Sequence, residues 1–195
     1  MRIVGGRWRG RAIEAPAGRG TTRPTTDRAR ESIASMILSA AGLDLTGLSV
    51  LDAFAGSGAM GFELVSRGAA HATFVEKDRR VAGIVRRTAA ALGAAPGEVR
   101  VLAGDVFALA ARGLAGAPFD VVFLDPPYAV GADRVSALVG ELLSGGQLAP
   151  GAIVVYEHAS SEPGLSCPGL EPRKSKTHGI TTVDLLVARS EGSES

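Results

Sequence analysis

Five short apolar runs recur along this chain, at 48–52, 72–76, 99–102, 119–125 and 153–156. Stretches of helical periodicity separate them. Val81, Ile84, Val85, Thr88 and Leu92 make one apolar helix face, and Val135, Leu138, Val139 and Leu142 make another. Near-continuous apolar strands alternating with helices specify a parallel sheet covered on both faces. Right-handed crossovers then give a doubly wound sheet, whose ligands bind at the carboxyl ends of the strands. Asp52, Glu76, Asp105 and Asp125 each fall at or just past such an end. They are predicted to share one ligand-facing edge.

The first of these ends reads Asp52-Ala53-Phe54-Ala55-Gly56-Ser57-Gly58-Ala59-Met60-Gly61. Glycines let the backbone approach a ligand closely, and the first N–H groups of the following helix have no partners of their own. The loop also fits G-x-G-x-x-G with Glu76 about 20 residues on, which admits a dinucleotide. However, Asp52 closes the strand and three residues separate it from Gly56. A carboxylate there repels a pyrophosphate and attracts a cation. S-adenosylmethionine, with its sulfonium and ammonium, suits the pattern better than a dinucleotide. A purely structural strand–helix turn remains the third reading.

The fourth strand runs into Asp125-Pro126-Pro127-Tyr128. Two prolines fix the backbone and remove two donors. This leaves the Asp125 carboxylate and the Pro126 carbonyl as rigid acceptors with an aromatic ring behind them. Such a set can grip both hydrogens of an exocyclic amine while Tyr128 stacks on the flat base that carries it. Accepting both hydrogens biases the nitrogen toward pyramidal geometry and frees its lone pair to attack. Alone, the same four residues can be a loop stop.

Charge is informative only by position. The chain is net +1, yet residues 1–30 hold eight arginines against two acids, so the remainder is net −5. Residues 1–24 are expected to be a basic extension, with short extended pieces at 2–4 and 11–13 forming a hairpin. Arg7, Trp8, Arg9, Arg11, Arg23, Arg28 and Arg30 are candidate contacts to a nucleic acid. The competing reading for Trp8 is that it packs the hairpin on the body. Pro24, Thr25, Thr26 and Asp27 can start a helix whose buried stripe is Ile33, Met36, Ile37 and Ala40. Residues 164–172 read as loop, and the alternating Val183, Leu185 and Val187 as a late strand paired antiparallel with an earlier one near 171–175. The polar 190–195 read as a disordered tail.

One cysteine, Cys167, and three scattered histidines offer no metal site. No apolar run is long enough for a membrane span and no leader pattern is seen, so a cytoplasmic, monomeric protein is expected.

Several segments resemble the RsmD family of bacterial 16S ribosomal RNA guanine-N2 methyltransferases: residues 2–11, 23–31, 51–61, 76–78 and 125–128. The resemblance implies a class I S-adenosylmethionine-dependent methyltransferase fold. This is a Rossmann-like doubly wound sheet, mostly parallel with a late antiparallel strand, over 25–189, plus the N-terminal hairpin. It implies methylation of guanine 966 of 16S RNA on N2, within a partly assembled 30S subunit. Asp52, Phe54, Ala55, Gly56, Ser57 and Gly58 would line the methionine end of the cofactor. Glu76, with Lys77 beside it, would bind the ribose, and Asp105 and Val106 would border the adenine. Asp125, Pro126, Pro127 and Tyr128 would hold the guanine. Ala34 stands where the family has an aromatic, and His178-Gly179-Ile180-Thr181 departs from the family's turn. A DNA adenine-N6 methyltransferase and a non-catalytic RNA-binding assembly protein are the alternatives.

Overall fold

The strands β1 (Ser49–Asp52), β2 (His71–Glu76) and β4 (Phe119–Leu124) are buried on both faces, so successive residues feed two different cores. Val50, Phe74, Val121 and Phe123 join one cluster, with Ile33 and Ile37 of α1 (Asp27–Ala40), Phe62 and Leu64 of α2 (Ala59–Ser66) and Val85 of α3 (Arg79–Leu92). Leu51, Val75, Val122 and Leu124 join the other, with Val106 and Ala110 of α4 (Val106–Ala110) and Val135, Val139 and Leu142 of α5 (Ala132–Ser144). The computed structural model describes residues 1–16 and 27–189. Arg23, the Thr25–Thr26 helix start and the 190–195 tail lie outside the described residues.

The sheet has seven strands in the order β3-β2-β1-β4-β5-β7-β6, with β3 at Val99–Ala103, β5 at Leu148–Ala159, β6 at Leu170–His178 and β7 at Thr181–Ala188. β1 through β5 are mutually parallel, and β7 inserts antiparallel between β5 and β6. The chain winds outward from β1 to β3, then crosses to the far side of β1 to lay down β4. The strand order therefore reverses between β1 and β4, which is where such sheets open a ligand crevice.

The N-terminal segment is part of this core. Arg2 and Ala12 form an antiparallel bridge, and Ile3, Trp8 and Ile13 are buried in the cluster that contains Phe62. Helix α2 clasps the segment. The buried Glu63 carboxylate accepts the N–H groups of Val4 and Gly5, both at 2.8 Å. Ser66 Oγ donates to the Gly5 carbonyl at 2.6 Å and accepts the Trp8 N–H at 2.9 Å.

Three element-level expectations change. Ala40 is exposed, and the buried face of α1 is Arg30, Ile33, Ala34, Met36 and Ile37. The fifth strand is three times the predicted length. It continues through Pro150 and Gly151 by shifting register against β4 between Phe119 and Val121. Leu170 already begins β6 inside the predicted loop, and Pro172 is tolerated there because β6 is an edge strand with a register shift between Pro172 and Lys174.

Candidate active site

The loop after β1 is shaped by contacts that leave no room for side chains. Gly58, the N-cap of α2, has φ 77°, and a Cβ on it would come within 2.9 Å of Phe62. At Gly61 a Cβ would meet the Phe74 ring at 2.3 Å, so only glycine lets α2 pack this close to β2. The close packing brings the Gly61 N–H to the Asp52 carboxylate, 3.1 Å away. Glu76, at the end of β2, accepts the Gly56 N–H at 2.9 Å and the Asp78 N–H at 2.8 Å. The Ala55 N–H donates to the Val75 carbonyl. Strand ends β1 and β2 are thus laced together through the glycine loop.

The third strand end contributes Asp105. Its carboxylate caps α4 through the Phe107 N–H at 3.1 Å and pairs with Lys77 at 3.1 Å. Burial pushes its carboxyl up, but the Lys77 and Phe107 hydrogen bonds and the Lys77 and Arg134 charges overcome this and hold it below the usual range. Phe54 meets Phe107 edge-on, with ring centroids 6.1 Å apart, and the Arg134 guanidinium lies 4.1 Å over the Phe107 ring. Phe107 and Arg134 were not singled out from sequence. Two residues after Asp105, Phe107 carried a usable signal, whereas Arg134 is brought in from α5 by the fold alone. Val106 and Ala55 point into the core, so their backbone is the part that can face a ligand.

Asp125 to Tyr128 leave the end of β4, the immediate neighbour of β1. Asp52 is in register with Phe123, and the Ala53 N–H donates to the Phe123 carbonyl at 3.0 Å. Tyr128 is 67% exposed, so its ring is open to solvent. Asp125 is exposed as a residue, yet desolvation by the protein packed around its carboxyl raises that group to about 6. Burial, followed by the charges of Asp125 and Glu76, raises Asp52 to about 7 against the opposing Gly61 N–H. The Asp125 and Glu76 charges add to burial in disfavouring the ionisation of Asp52, and a cation beside these carboxylates relieves it. This donor set fits a sulfonium and an ammonium. The Phe54 and Phe107 rings beside Asp105 fit a flat heterocycle.

The N-terminal candidates divide. Trp8 is buried edge-on against Phe62 at 6.5 Å and cannot stack on a base, which corrects that expectation. Arg30 is also withdrawn from the surface. It is 2% exposed and donates to the Arg2 carbonyl and the Asp27 carboxylate. Arg7 lies over the Trp8 ring and pairs with Glu98 at 2.7 Å, and Arg11 donates to the Ala91 carbonyl. Both tie the segment to the body around α3. Arg9 and Arg28 are exposed.

The strand order and the crevice define the fold of class I S-adenosylmethionine-dependent methyltransferases. A cofactor-bound magnesium protoporphyrin IX methyltransferase from Synechocystis PCC 6803 shares it with a TM-score of 0.63 at 19% identity. The family model described as "Conserved hypothetical protein 95" matches residues 1–187, and the chain belongs to this family, the RsmD family. It is 38% identical over 165 residues to Ribosomal RNA small subunit methyltransferase D of Escherichia coli K12, covering 85% of this chain and 77% of that one. It is 31% identical over 185 residues to the Haemophilus influenzae protein of the same name, covering 95% and 92%. The solved structure of the E. coli protein yhhF superposes with a TM-score of 0.83 at 30% identity, covering 98% of this chain and 99% of that one. Among the described residues no helix is long and apolar enough to cross a membrane.

Proposed function

We propose that this chain methylates an exocyclic amine of a ribosomal RNA base with S-adenosylmethionine as donor, and that the base is guanine 966 of 16S RNA, modified on N2. The observation that carries the reading is the adjacency of the two motif-bearing strand ends. The glycine loop follows β1 and the Asp-Pro-Pro-Tyr segment follows β4, paired in register at Asp52 and Phe123. The relatives named for ribosomal RNA methylation support the RNA substrate, and the family resemblance supports the position and a partly assembled 30S subunit.

When bound, S-adenosylmethionine supplies a methyl group already activated on a positive sulfur. The Asp52 carboxylate attracts its charged groups, the Glu76 carboxylate accepts from its ribose hydroxyls, and the glycine loop admits it. The Asp125 carboxylate and Pro126 carbonyl accept the two amine hydrogens, and Pro127 holds that backbone rigid. Tyr128 stacks on the base, a contact worth about 1–3 kcal/mol. The rest is alignment and fixed charge. A base in a helix must leave its stack to reach these groups.

Transfer of tritium from labelled cofactor to naked 16S RNA, immature small subunits and DNA tests the reading. Label is expected in RNA or subunits, on a guanine N2 by mass mapping. Incorporation into DNA alone would overturn it. Asp125→Ala is expected to slow transfer by about 10²–10³-fold while cofactor affinity stays largely intact. An equal loss of affinity and rate would contradict the role given to Asp125.

A further inference from the structure

The β6–β7 hairpin carries charge that the site above does not use. Lys174 and Lys176 are two of the chain's three lysines, and both are exposed on the edge strand β6. Their register partners are Leu185 and Val183, and His178 pairs with Thr181. Cross-strand partners share a face. Leu185 and Val183 pack in the cluster that contains Ile33 and Ile37, so Lys174, Lys176 and His178 lie on the α1 side of the sheet. There Lys176 Nζ donates to Ser32 Oγ at 2.9 Å. Arg28 stands four residues before Ser32, on the same helix face, and is exposed. The acids of this helix are engaged elsewhere: Asp27 with Arg2 and Arg30, and Glu31 with Arg67. Among the described residues, no carboxylate ion-pairs with Arg28, Lys174 or Lys176.

The cations also stand at the catalytic edge. Leu124 is in register with Tyr156, and Ala159, three residues further along β5, is in register with Thr181. The hairpin tip therefore rises from the same end of the sheet as Asp125. The first turn of α1 reaches this edge too. Arg2 pairs with Asp27, and the neighbouring Met1 Sδ lies 3.6 Å from Ser57 Oγ in the glycine loop.

We propose that Arg28, Lys174 and Lys176 form a phosphate-binding face for the RNA strand that flanks the target base. The proposal rests on the RNA-methyltransferase reading above. Lysines also protect an exposed edge strand from pairing with another chain, but that role does not require Lys176 to align with α1 or the cations to collect at the catalytic edge.

The test uses full-length wild type, the double variant Lys174→Gln/Lys176→Gln and the reversal Lys174→Glu/Lys176→Glu. Each is titrated with a 16S ribosomal RNA transcript across a potassium chloride series, and with S-adenosylmethionine by calorimetry. The Gln variant is expected to reduce the slope of log affinity against log salt by about 1.4–1.8, at roughly 0.7–0.9 per lost phosphate contact. The Glu variant should bind still more weakly, and cofactor affinity should be unchanged in both. An unchanged slope, with wild type binding the RNA, overturns the proposal; aggregation of the Gln variant would then assign the lysines to edge protection. Unchanged slope with lost transfer to immature subunits also overturns it, pointing to a protein contact. If wild type neither binds nor methylates RNA, the enzymatic reading fails and this face falls with it.

Discussion

Under the proposed function, Asp52 is the residue where folding and ligand binding pull in opposite directions. It is 2% exposed, and its carboxyl is raised from 3.8 to about 7 chiefly by desolvation. A folded-state value above the unfolded one means that the native state binds the proton more tightly. The stabilising contribution is full below about 3.8 and is lost as the pH rises through about 7. Asp52→Asn is therefore expected to raise the melting temperature of the cofactor-free protein at pH 8. The same change removes a charge that a cationic ligand needs, and should weaken cofactor binding by about 10–100-fold, the scale of a charged hydrogen bond. Wild-type affinity should strengthen as pH rises through about 7, and the variant's should not. Calorimetric titration and thermal melts across pH 5–9 check both signs. An Asn variant less stable than wild type at pH 8 would contradict the account. Sequence placed this acid at a strand end; only its burial and the nearby Asp125 and Glu76 charges, partly offset by the Gly61 N–H, show why its ionisation is costly.

The element that decides the site's geometry is α2. It packs its glycine face on Phe74, offers the Gly61 N–H to Asp52, and holds the N-terminal segment with Glu63 and Ser66. Gly61→Ala puts a methyl group 2.3 Å from the Phe74 ring, so the helix must retreat. Overpacking of this kind costs about 1–3 kcal/mol, and the shift moves the N–H that caps Asp52. Reduced stability in denaturant melts is expected together with weaker cofactor binding, and Phe74→Leu should partly restore both. The G-x-G-x-x-G spacing was legible in the sequence. Its third glycine serves helix–strand packing, which the spacing alone cannot distinguish from ligand contact. Strand β6 was harder to read because Arg173-Lys174-Ser175-Lys176-Thr177-His178 has no apolar alternation. An edge strand with one neighbour needs none.

Across the molecule, the N-terminal segment belongs to the core it was expected to decorate. Trp8, 6% exposed, fills space against Phe62, and Ile3 and Ile13 close the same cluster. Trp8→Ala should cost about 3–5 kcal/mol, which lowers the melting temperature by roughly 6–20 °C in a domain of this size. The salt dependence of RNA binding should stay as in wild type. Weakened RNA binding with an unchanged melting temperature would restore Trp8 to the RNA surface. The basic face shrinks on the segment, where Arg7 and Arg11 bond to the body, and continues on α1 and β6, which come together only in three dimensions.

Local pattern was enough to specify the strand–helix alternation, the acids at the strand ends and the two loop motifs. Each of these depends on residues close together in the chain, whose periodicity and backbone preferences act locally. Which strands became neighbours, which arginines were taken up by internal contacts and which lysine meets Ser32 were decided by packing. Those choices depend on apolar surface and charge brought together from distant parts of the chain, and no local window contains them.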